Sequence, residues 1–113
     1  MKYLKNISVK NTVFKFIIKP LVYVDVEEAV SYYDKQLQGL GRRFYNVFIA
    51  SLIEIETKPF VHSYIRPPVR RYKIKKFPYK IFYIIKEDSI FVIGVSHAKR
   101  SNAFVRRRLK LPL

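Results

Sequence analysis

Apolar positions change period several times along this chain, and the changes mark its elements. Thr12 to Ile18, TVFKFII, is rich in β-branched and aromatic residues and runs into Lys19-Pro20, which predicts a short first strand closed by the proline. From Asp25 the spacing turns helical: Val26, Ala29, Val30, Tyr33 and Leu37 share one face, with Asp25 as N-cap, Glu28 completing a capping box and Gly39 as the stop. A second helix follows, carried by Leu40, Phe44, Val47, Phe48, Leu52 and Ile55 as far as Lys58-Pro59, where the proline forbids continuation. Two amphipathic helices joined by about three residues form an antiparallel hairpin.

Phe60 to Pro68, ending in Pro67-Pro68, reads as a loop. Three strands follow: Val69 to Lys75, Tyr79 to Lys86 and Ile90 to Ser96, with Lys86 to Ser89 as a hairpin turn between the last two. Ile90 to Val95 is almost wholly apolar, as expected of a strand covered on both faces. The tail after Ser101 has Phe104, Val105 and Leu109 as anchors and is expected to be a short helix or an ordered arm. The β-α-α-β-β-β order, with helices grouped and not alternating, predicts an α+β fold: a twisted, mostly antiparallel sheet with an N-terminal helical hairpin on one face. A chain of 113 residues suits a single domain, 1–113, with 1–11 as a flexible or additional N-terminal segment.

Charge sharpens this picture. The formal net charge is +15 although half the residues are apolar, so the chain is a folded basic module and not a disordered one. The charge is also uneven: residues 1–60 hold nine Lys/Arg against six Asp/Glu, whereas residues 61–113 hold fourteen against two. A surplus of this size implies an anionic partner: nucleic acid, an acidic protein segment or an anionic membrane face. There are no cysteines, which excludes disulfides and thiolate metal sites and is compatible with a reducing cytoplasm. The N-terminus lacks the continuous apolar core of a signal peptide, and no stretch has the length of a transmembrane helix, so the expected location is cytoplasmic, without membrane association.

The helices' EEAVSYYDKQLQGLGRRF, the strands' VRRYKIKKFPYKIFYIIKEDSIFVIGV and the H-A-K-R run ending at Arg100 together resemble the RelE/ParE superfamily of bacterial type II toxin-antitoxin toxins, in its ParE-like, plasmid-stabilisation branch. The resemblance spans roughly Asp25 to Leu109. It implies a small growth-inhibiting toxin neutralised by a cognate antitoxin that wraps around it. Members of that superfamily either bind DNA gyrase or enter the ribosome and cut mRNA.

Two sets of residues are candidates for contact with target or antitoxin. The first is Arg70, Arg71, Lys73, Lys75 and Lys76, of which Arg71, Lys73 and Lys75 project from one face of an extended strand and can track phosphates or an acidic peptide. Arg70 has the parity of Tyr72 and belongs under the helices or at their margin. The second is His97, Arg100 and the run Arg106, Arg107, Arg108, with Tyr79 and Tyr83 as stacking or contact residues, or else as part of a packed face with Ile81 and Ile85. In an mRNA endonuclease Arg71, Lys73 and Lys75 would neutralise the scissile phosphate and His97 would move the proton. Against this, no tyrosine follows Tyr83 and no carboxylate follows Asp88, whereas the ribonuclease branch usually carries such a group near its C-terminus. A gripping toxin without chemistry is therefore the leading expectation. The alternatives are the endonuclease and a non-toxic nucleic-acid binder. No phosphate loop, metal-ligand spacing or Ser/His/Asp arrangement is present, and no cofactor is expected.

Overall fold

Pro20 fixes where the first helix begins. In the computed structural model, which describes residues 14–110, strand β1 is Lys15–Ile18 and helix α1 is Pro20–Gln36. Thr12 and Val13, the start of the expected first strand, and the N-terminal segment 1–11 lie outside the described residues. Lys19 is extended (φ −68°, ψ 147°), as a residue before proline prefers, and Pro20 takes the first helical turn, where its missing N–H costs nothing. The expected capping box at Asp25 is thus overturned: Asp25 lies inside α1, and its carboxylate is used elsewhere.

The helix ends at Gln36, one turn before the expected glycine stop. The Leu37 N–H donates to Tyr33 O at 3.0 Å, and Leu37 is exposed, not part of the buried face. Gly39 (φ 90°) instead makes the left-handed step that starts α2, Leu40–Thr57.

Four more strands complete the sheet: β2 (Tyr64–Arg66), β3 (Val69–Lys73), β4 (Tyr79–Lys86) and β5 (Ser89–His97). A 3₁₀ turn, Ala98–Arg100, leads into α3, Ser101–Leu109. The sheet order is β1-β5-β4-β3-β2, antiparallel throughout except that β1 runs parallel to β5. The α+β expectation holds, with one strand more than expected. β2 lies in the segment read as a loop, where Tyr64 pairs with Arg70 and the Arg71 N–H reaches Ser63 O at 2.9 Å. β3 is shorter than expected, ending at Lys73.

The helical hairpin covers one sheet face. Val22, Val26 and Tyr33 of α1 and Phe44, Phe48 and Ile55 of α2 are buried against Tyr72, Ile81, Tyr83, Ile90 and Val92. The tail forms a second layer on the opposite face, where Val105 is buried with Val69, Phe82 and Ile93. Both faces of β5 are therefore covered, which explains its unbroken apolar run. Gly94 makes this layer possible: a Cβ there would run into the Phe104 ring.

An edge problem in β5 accounts for Asp25. The β1 pairing stops at Ile18–Val92, and a register irregularity between Phe82 and Tyr83 leaves Ile93 without a partner on β4. Beyond Val92 the backbone of β5 is therefore open on the β1 side. Arg108 donates to Ile93 O at 2.7 Å and the Val95 N–H donates to the Asp25 carboxylate at 3.0 Å, while the two side chains pair through two 3.0 Å contacts. Both side chains are about nine-tenths buried. Among the described residues no helix is long and apolar enough to cross a membrane.

Candidate functional site

Strand alternation sorts the basic residues of β3. Val69, Arg71 and Lys73 point to the α3 face, but α3 covers only Val69, so Arg71 and Lys73 are exposed. Lys73 stands opposite Lys80 and Arg71 opposite Phe82, which puts Lys80 beside both cations on the same face. Burial, then the Arg71 and Lys73 charges, hold the Lys80 ammonium below the usual lysine range. None of the three makes an ion pair among the described residues. Three cations on adjacent strands about 4.8 Å apart, without a counterion, form a patch that an anion would stabilise.

The same end of the sheet gathers further charge. The Ala98 N–H donates to Pro78 O at 2.9 Å, tying the end of β5 to the 74–78 turn and bringing exposed Lys76, Lys99 and Arg100 to one rim. His97 ends β5. Its Nδ1 accepts from the Lys99 N–H at 3.2 Å and its ring lies edge-on to Tyr79 at 5.5 Å, and Nε2 has no hydrogen-bond partner among the described residues. Tyr79 packs against Tyr33 and Phe44, and burial, with Tyr32 adding to it, raises its phenol pKa. His97 and Tyr79 open into a cleft of about 630 Å³ whose walls include Glu28, Tyr32, Arg100 and Arg107.

Not every candidate reaches this surface. Arg70 is at the helix margin, where it donates to Phe60 O (3.0 Å), His62 O (2.8 Å) and the Tyr64 hydroxyl (3.0 Å) and stacks 4.2 Å from the Tyr64 ring. It clamps the 60–64 segment. Lys75 lies past the end of β3, so the expected row of three breaks after Lys73. Its ammonium pairs with Glu54 of α2 at 2.9 Å, on the hairpin side. Tyr83 is fully buried and donates to Pro59 O at 2.6 Å, so it cannot stack on a ligand; burial pushes its phenol up to about 12. Arg108 is committed to Asp25 and Ile93. Arg106 and Arg107 are exposed, Arg106 toward Arg66 and Arg107 at the cleft.

Three contributors were missed in the sequence. Lys80 was legible only through the β3–β4 register, and Glu28 was assigned to a cap. Tyr32 has no periodic signal of its own.

The geometry separates two groups that an RNA-cleaving site would need together. Arg71, Lys73 and Lys80 are on the α3 face, whereas Tyr79, packed under the hairpin, and His97 beside it are on the other.

No protein-family model matches the sequence, and no curated protein matches it significantly. Solved structures do match by shape. A chain of the chromosomal ParDE toxin-antitoxin system from P. aeruginosa superposes with a TM-score of 0.68 at 9% identity, covering 76% of this chain and 97% of that one. The isolated E. coli RelE toxin gives 0.54 at 16% identity, covering 87% and 98%. A RelE mutant in the free state gives 0.54 at 14%, covering 88% and 99%. At these identities the likeness is one of fold: the chain has the RelE/ParE toxin fold.

Proposed function

We propose that the protein is the toxin of a type II toxin-antitoxin system, one domain of ParE-like character that acts inside the cell. A cognate antitoxin neutralises it, and when free it grips a target such as DNA gyrase. The observation that carries this reading is the unpaired Arg71–Lys73–Lys80 patch, set on the opposite face of the sheet from His97. That arrangement suits a surface that binds an acidic partner, because no single phosphate meets both the cations and the imidazole through the sheet. The fold supports it: the ParDE-system chain superposes at 0.68, against 0.54 for RelE.

A second reading rests on the cleft. Glu28, His97, Tyr79 and Arg100 converge there, and a carboxylate with an imidazole is an acid-base pair that a ribosome-dependent mRNA endonuclease would employ. Induced expression in a bacterial host, with purified protein added to a gyrase supercoiling reaction and to a translating system mapped by primer extension, separates the readings. Growth arrest with lost supercoiling and intact mRNA is expected. Codon-linked cuts abolished by His97→Ala would establish the nuclease, and absence of arrest would remove the toxin assignment.

A further inference from the structure

The outer face of α2 carries an apolar stripe with opposite charges at its two ends. Arg42, Tyr45, Ile49, Ile53 and Glu56 lie within about 40° of the Ile49 direction on a helix of 3.6 residues per turn, on the side away from the buried Phe44, Phe48, Ser51 and Ile55. Tyr45 is 45% exposed, Ile49 39% and Ile53 61%, so three large apolar side chains in a row face solvent. Arg42 and Glu56 close the row, and neither has an ion-pair partner among the described residues. Ile49 is close to the middle of Leu40–Thr57, with Arg42 seven residues before it and Glu56 seven after. The stripe is therefore its own complement when reversed. Beside it a groove of about 1070 Å³ runs between α1 and α2, walled in part by Tyr23, Val30 and Leu52. Its charged residues, Glu27 and Asp34 against Lys35 and Arg42, cancel, so the groove is neutral in a chain of net charge +15.

We infer that this face binds a second copy of the same chain, α2 against α2 about a two-fold axis through Ile49. In such a self-complementary pairing each contact occurs twice. Antiparallel α2 helices centred on Ile49 set Tyr45 of one chain beside Ile53 of the other, and Arg42 beside Glu56. The spacings of three, four, four and three along the stripe are those of a helix seam that packs at a shallow crossing angle, about 20°, which keeps both ends within side-chain reach. The hairpin face is about 27 Å long and two helix diameters, about 20 Å, wide, on the order of 500 Å² per chain in projection. Two copies thus reach the roughly 1,000 Å² of total buried surface that a specific interface needs. Like-charge repulsion is low in this arrangement. The Arg71–Lys73–Lys80 patch is on the opposite face of the sheet from the hairpin, so a back-to-back pair carries its two patches on the outside. They lie about 30 Å apart across a sheet-helix-helix-sheet stack with layers about 10 Å apart, against a Debye length of about 8 Å. Both patches stay open, and a different protein that docks on the hairpin has to compete with the second copy. The pairing holds whether or not the protein is a toxin.

Sedimentation velocity of the full chain over a dilution series tests the pairing, with far-UV circular dichroism confirming that each variant is folded. A monomer–dimer equilibrium is expected. Arg42→Glu sets like charges together at two symmetry-related points and should raise the dimer dissociation constant by about tenfold or more, as should Glu56→Arg. The double variant, which restores opposite charges, should return it to within about threefold of the original. Cysteine is absent from the chain, so Ile49→Cys supplies a single thiol per copy, and a short bismaleimide should link it to its symmetry mate. A monomer at every concentration would overturn the inference and leave the stripe to a different protein. So would a dimer indifferent to the single charge reversals, or one that the double variant fails to rescue.

Discussion

The Asp25–Arg108 pair makes the sharpest stability prediction. Asp25→Ala removes one partner of an ion pair that is about nine-tenths buried and leaves two groups stranded: the Arg108 guanidinium, with only Ile93 O, and the Val95 N–H. Breaking a buried pair from one side costs about 3–5 kcal/mol, because the remaining charge stays desolvated. Arg108→Ala has the converse effect, stranding the carboxylate and Ile93 O. The double change to alanine removes both charges, leaving two orphaned backbone groups at about 1–3 kcal/mol each. The single losses therefore sum to well above the loss in the double variant. Urea unfolding followed by far-UV circular dichroism measures all three. A domain of this size has about 5–15 kcal/mol in total, so each single change moves the midpoint markedly. Lys75→Met, which breaks the exposed Lys75–Glu54 pair without stranding a buried charge, is the internal control and should barely move the midpoint. Single-variant losses below about 1 kcal/mol, adding up to the double, would show that the pair behaves like an exposed one and refute the edge-capping argument.

Three further outcomes follow from the same geometry. Gly94→Ala drives a methyl into the Phe104 ring and should destabilise by about 1–3 kcal/mol, with Phe104→Ala restoring part of the loss at that position in a thermal melt. His62 is held below its ordinary pKa by burial, with the Arg70 charge adding and Glu54 opposing. The unfolded chain therefore takes up the proton first, and stability falls as pH drops below about 6.5 until the folded imidazole also titrates; His62→Gln should flatten that limb of the stability-pH profile. Replacing Arg71, Lys73 and Lys80 by glutamine should leave the unfolding free energy within about 0.5 kcal/mol of its original value, since none has an ion-pair partner among the described residues. The same variant should shed most of the salt-dependent affinity for an acidic partner, read by titration at two ionic strengths.

What the sequence conveyed was whatever depends on neighbours a few residues apart. The periods of α2 and of β4 and β5 were legible because their apolar faces are wide and their ends are set by Pro59 and by the Glu87–Asp88 turn. Contacts distant along the chain were not. Asp25 looked like a cap because an acid before an apolar period usually is one. Its real partners, Val95 and Arg108, are 70 and 83 residues away. β2 was hidden for the same reason: three residues running into Pro67-Pro68 carry no period, and pairing with β3 alone makes them a strand.

The arginine run shows how this limit reaches the candidate site. Arg106, Arg107 and Arg108 are equivalent as sequence, yet helical geometry turns one toward β2, one toward the cleft and one into the core. The basic surplus is thus divided between surface and scaffold. Arg70 and Arg108 hold the 60–64 segment and α3 in place and Lys75 is paired with Glu54, which leaves Arg71, Lys73, Lys80 and the rim around Arg100 unpaired among the described residues. Those unpaired cations sit at one end of the sheet, so a partner is recognised by the local charge density there more than by the net charge of the chain.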